Sequence, residues 1–73
     1  MSFSPKQKEV LKIAKEKGFI TYVDLNCVFS SPIARKSNLE RFIALGILKL
    51  NPIGNSFQLN KDILKEIEDK END

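Results

Sequence analysis

Apolar positions recur along the 73-residue chain in short blocks, each set off by residues that start helices or make turns. Over residues 5–17, Val10, Leu11 and Ala14 share one helical face, Ile13 lies at its edge, and Lys8, Lys12 and Lys15 fall opposite. Ser4 is a good N-cap, Pro5 suits the first helical position, and Gln7 completes a capping box with Ser4. Gly18 is a natural stop. Phe19 and Ile20 then form only an extended bridge. Thr21 and Asp24 can cap a short second helix over residues 22–30, which would bury Leu25, Val28 and Phe29, with Val23 nearby and Cys27 in the core.

Ser31-Pro32 repeats the device of Ser4-Pro5 and predicts a third helix over residues 32–45. Leu39, Phe42, Ile43 and Gly46 stand at i, i+3, i+4 and i+7, one helical face, which predicts that this face is inward. Ile33 lies off that face, and burial in the preceding turn would accommodate it. After Gly46, residues 47–51 and 56–59 read as two strands around the turn chemistry of Pro52, Ile53, Gly54 and Asn55. Asn60 can cap a last helix with the apolar stripe Ile63, Leu64 and Ile67, fraying over residues 69–73.

This order of helix, short strand, helix, helix, two-stranded hairpin and helix resembles the winged helix-turn-helix family. The stretch Leu39-Glu40-Arg41-Phe42-Ile43-Ala44-Leu45-Gly46-Ile47-Leu48 carries most of the likeness. It is similar to the end of a recognition helix running into the first strand of a wing. The fold so implied is α+β and mostly helical: a single domain over residues 1–73 with a three-helix core, a two-stranded β-hairpin wing and a short C-terminal helix. One departure is Arg35, four residues before Leu39, where the family usually has an apolar side chain.

The function implied is sequence-dependent binding of double-stranded DNA by a small transcriptional regulator. The third helix would enter the major groove, and the wing, about residues 51–56, would touch backbone. A turn of about 100° per residue then puts Ala34, Ser37 and Arg41 outward, with Asn38 at the flank. Arg41 suits guanine and Asn38 suits adenine. Arg35 and Lys36, at the helix start, suit phosphates, as do Asn55 and Ser56 on the wing with Lys49 nearby. Tyr22, at the start of the second helix, is a further phosphate candidate, although a half-buried tyrosine fits equally well. Ile63, Leu64 and Ile67 can either complete the chain's own core or form a homodimer interface. The rival reading is a winged-helix protein–protein interaction or assembly module without DNA binding.

Charge sharpens the choice. Residues 1–60 carry nine Lys/Arg against four Asp/Glu, whereas residues 61–73 carry three Lys against six Asp/Glu. A basic body suits a polyanion, while the neutral hairpin tip favours the rival. Catalysis has little to work with: the chain has no His, one Cys and no Gly-rich phosphate loop, so no enzyme, cofactor, metal or small-molecule ligand is expected. Absence of a long apolar run and of an apolar export segment predicts a cytoplasmic protein without membrane contact. The single Cys27 fits a reducing compartment, and Lys12 and Glu16 are spaced for an i, i+4 pair.

Overall fold

A computed structural model describes residues 3–52 and 54–71. Local chemistry sets most element boundaries. The Ser4 hydroxyl accepts from the Gln7 N–H at 3.2 Å, and the Gln7 side-chain oxygen accepts from the Ser4 N–H at 2.9 Å, which starts α1 (Pro5–Lys17). Gly18 ends it at φ 83°, a left-handed conformation that costs glycine no Cβ clash. β1 (Phe19–Thr21) follows directly. Thr21 and Asp24 form the second capping box and open α2 (Tyr22–Val28). α3 (Pro32–Ala44) begins at Ser31, whose hydroxyl accepts from the Ala34 N–H at 3.4 Å. β2 (Leu48–Leu50), β3 (Ser56–Leu59) and α4 (Lys61–Glu71) complete the order.

The architecture is a mostly helical α+β arrangement, with four helices and a three-stranded antiparallel sheet among the described residues. β3 is the central strand, flanked by β1 and β2. Ile20 and Leu50 both stand opposite Phe57, and Leu48 stands opposite Leu59. Strand alternation therefore sends Ile20, Phe57, Leu48 and Leu59 to one face, where all four are buried. There they meet Val10, Leu11 and Ala14 of α1, Leu25 of α2, Phe42 of α3 and Leu64 of α4. Phe3 covers one end of this core, its ring centroid 6.1 Å from that of Phe42.

Four expectations change. The short extended stretch expected before the second helix joins the hairpin: β3 has a second open edge, and Phe19–Thr21 pairs along it, so the sheet has three strands instead of the two expected. The second helix stops at Val28, because Phe29 turns extended at φ −110° and ψ 117° and its ring enters the core. Cys27 is exposed instead of buried. Leu25 and Val28, three apart, take the inward side of α2, which leaves Val23 and Cys27 on the other. The last helix continues through Glu71 instead of fraying from residue 69; positions 72 and 73 lie outside the described residues, as do Met1, Ser2 and Ile53 of the expected wing turn.

Polar links join the helices. Lys15 Nζ donates to Glu68 Oε2 at 2.7 Å, tying α1 to α4, and Lys17 Nζ donates to Asp24 Oδ2 at 2.7 Å, tying α1 to α2. The spacing of Lys12 and Glu16 gives no ion pair among the described residues. No helix described is long and apolar enough to cross a membrane.

Candidate nucleic-acid interface

The orientation of α3 decides which of its side chains can meet a partner. Its inward row is Ala34, Asn38, Phe42 and Leu45, at i, i+4, i+8 and i+11. Phe42 is its only fully buried residue; Ala34, Leu39 and Leu45 pack at the edge of the core. This is a rotation from the face the apolar pattern predicts. Ala34, expected outward, packs on the core, whereas Ile43, expected inward, is 43% exposed.

A polar pair explains the rotation. Asn38 Oδ1 accepts from Gln7 Nε2 at 2.7 Å, and Asn38 Nδ2 donates to the Ala34 carbonyl at 2.7 Å. Gln7 is itself buried on α1 and also serves the Ser4 cap. Between them, these two amides are supplied with partners where α1 meets α3, so polar side chains occupy positions that an apolar pattern reserves for hydrocarbon. Asn38, placed at the flank of the outward face by the sequence pattern, is therefore turned inward and engaged.

Arg35 is engaged too. Its Nη1 donates to the carbonyls of Phe29 at 3.0 Å and Ser30 at 3.3 Å. Those carbonyls follow the end of α2, where backbone acceptors lack intrahelical partners. The guanidinium thus clamps the turn between α2 and α3, which accounts for a charged side chain at a position expected to be apolar.

The outward surface of α3 comprises Ile33, Lys36, Ser37, Glu40, Arg41 and Ala44. Lys36, Ser37 and Arg41 stand exposed where the sequence pattern puts them. Lys36, Glu40 and Arg41 make no ion pair among the described residues. Ile33, expected to be buried in the turn, is 82% exposed. As the second residue of α3 it lies two turns from Glu40, on the same side. Glu40 has no role in the pattern of outward residues read from the sequence. The signal that could have found both was the i, i+4 series Ala34-Asn38-Phe42, whose opposite side contains them.

Elsewhere the expected residues separate. Asn51 closes the hairpin turn by donating from its backbone to the Ser56 carbonyl at 3.0 Å and from Nδ2 to Ser56 Oγ at 2.8 Å. Ser56 is half-buried as a result, while Asn55 is exposed. The tip comes down beside the start of α2, where Thr21, Tyr22, Val23, Asn55 and Ser56 line a shallow groove of about 380 Å³. Tyr22 is partly exposed, its ring edge-on to Phe57 at 5.3 Å. Lys49 is exposed and pairs across the sheet with Gln58, on the face away from the core. Leu64 is buried in the chain's own core, and Ile63 and Ile67 pack against that core.

The chain matches no protein-family model, no curated protein and no solved structure with which it was compared.

A second surface differs in chemistry. An open groove of about 1010 Å³ runs between the end of α3, β2 and the start of α4. Ile43 and Leu50 (56% exposed) give it an apolar side, and Lys49, Lys61 and Asp62 line it as well. Among the described residues, no group of three or more His, Cys, Asp or Glu is placed to hold a metal ion.

Proposed function

We propose that this chain is a winged helix-turn-helix domain that binds double-stranded DNA, as a small transcriptional regulator would. In this reading α3 enters the major groove and the hairpin tip meets the backbone. The element order, with β1 joining the hairpin as a third strand, supports the fold assignment. The observation that carries the function is the division of labour on α3. Its polar inward groups are satisfied within the chain, while Lys36, Ser37 and Arg41 stand exposed on the other side, with no ion pair for either cation among the described residues. Lys36 and Arg41 supply phosphate or base contacts, and Ser37 a less specific one. Arg35 contributes by holding α2 and α3 together at the turn.

The experiment is a fluorescence-anisotropy titration of a mixed-sequence duplex at several salt concentrations, comparing the wild type with Lys36→Ala/Arg41→Ala. Phosphate neutralisation releases counterions, so wild-type affinity should fall steeply with salt. The double variant should flatten the log–log slope by about 2, roughly 1 per lost cation. Absence of binding at low salt would remove the DNA reading.

The groove at Ile43 and Leu50 favours a second reading, a protein-interaction module, because it joins apolar side chains outside the core to a partly polar surround. A partner seated there would leave Lys36 and Arg41 without effect on its affinity and would respond to Leu50→Ser.

A further inference from the structure

We infer, resting on the DNA reading above, that Ile33 and Glu40 set this domain's sequence preference: Ile33 by packing on a thymine methyl and Glu40 by accepting from a cytosine N4 amine. A large aliphatic side chain that is 82% exposed does nothing for the core, and Ile33 is the most exposed of the large apolar side chains described. It sits at the second position of α3, and it is the N-terminal residues of a groove-bound helix that reach base edges. The thymine methyl is the one apolar group that base edges present in the major groove.

Glu40 is exposed, makes no ion pair among the described residues and lies on the same side of α3. A carboxylate facing DNA is repelled by phosphates, so it is tolerated where it accepts a specific hydrogen bond, and the cytosine amine is the donor it suits. Two helical turns separate the residues by about 10 Å along the axis. For a helix lying along the groove this corresponds to bases about three pairs apart. Lys36 and Ser37 stand on the exposed surface between them.

The test selects bound duplexes from a random pool with the full chain, then repeats the selection with Ile33→Ala and Glu40→Gln. Both side chains are exposed, so thermal melts of the variants should overlay the wild type. The wild type should enrich a thymine and a cytosine about three base pairs apart. Replacing that thymine with uracil removes only the methyl and should weaken the wild type about fourfold, leaving Ile33→Ala unaffected. Glu40→Gln should move the preferred base from cytosine toward adenine, which a glutamine amide matches, by about tenfold in relative affinity. If the wild type binds duplex and both variants select its motif unchanged, the inference falls and the DNA reading stands. If no duplex binds at low salt, the DNA reading falls and takes the inference with it.

Discussion

α1 and α3 are both thirteen residues long, and each begins with a serine cap followed by proline. Their burial diverges from there. α1 buries Gln7, Val10, Leu11 and Ala14, whereas α3 buries Phe42 alone. α1 opens with a complete capping box and is tied to α2 and α4 through Lys17 and Lys15. α3 opens with one long side-chain cap bond and no capping box, and Arg35, bonded to the turn after α2, and Asn38, bonded to Gln7 of α1, hold it from the side. Elements with similar local signals can thus take different roles, α1 as scaffold and α3 as presented surface. What separates them is how many side chains each gives to the core.

The largest effect should come from removing the anchor of α3. Phe42→Ala should cost about 3–5 kcal/mol, a large part of the roughly 4–11 kcal/mol expected for a domain of this size. Urea denaturation followed by circular dichroism measures it. A cost under about 1 kcal/mol would mean that α3 is held by something other than this ring.

The polar contact between the two helices comes next. Asn38→Leu strands the Gln7 amide and should cost about 1–3 kcal/mol. Adding Gln7→Leu should recover part of that, because no buried amide is then left without a partner. The recovery is incomplete because Gln7 also accepts from the Ser4 N–H. Simple additivity of the two losses would show that they do not form one unit.

At the far end of α1, the Lys17 ammonium bonded to Asp24 holds its carboxyl below the usual carboxylate range, against the opposing effect of burial, and the Thr21 N–H and hydroxyl add to the lowering. A carboxylate with a depressed folded-state pKa stabilises the fold above its unfolded value, about 3.9. That contribution is lost as pH falls through the folded value. Asp24→Asn should therefore cost about 1 kcal/mol at neutral pH, the worth of a helix cap. Its denaturation midpoint should converge with the wild type in acid. A gap that persists at low pH would assign the effect to shape and not to charge.

The smallest effect sharpens the comparison most. Ile33→Ser should shift stability by no more than about 0.5 kcal/mol, since this face of α3 gives nothing to the core. A larger loss, seen in the same urea titration, would place Ile33 among the residues that hold α3.

Much of the fold was legible because its signals are local. The boxes at Ser4 and Thr21, the proline starts and the left-handed glycines at 18 and 46 all act within a few residues of the chain. Pairing across long separations was not legible in the same way. Phe19–Thr21 gains strand character only through residues 56–58. The rotation of α3 depends on Gln7 meeting Asn38 from 31 positions away. An apolar pattern counts both amides as surface, so it placed Ile43 inward and Ala34 outward, the reverse of what the fold does, whereas Leu39 packs on the core as expected. That error carried into the candidate interface, where it made Asn38 look free; Arg35 looked free because its acceptors, the Phe29 and Ser30 carbonyls, lie in the turn before the helix.

The most direct test of that account is an amide NMR titration of the 15N-labelled chain with a short duplex at low salt. The account predicts that the largest shifts fall at Ile33, Lys36, Ser37, Glu40 and Arg41, with a second group at the hairpin tip near Asn55, while α1 and the groove at Leu50 stay unchanged. Shifts concentrated at Ile43, Leu50 and Ile63, or no shifts at all, would contradict it.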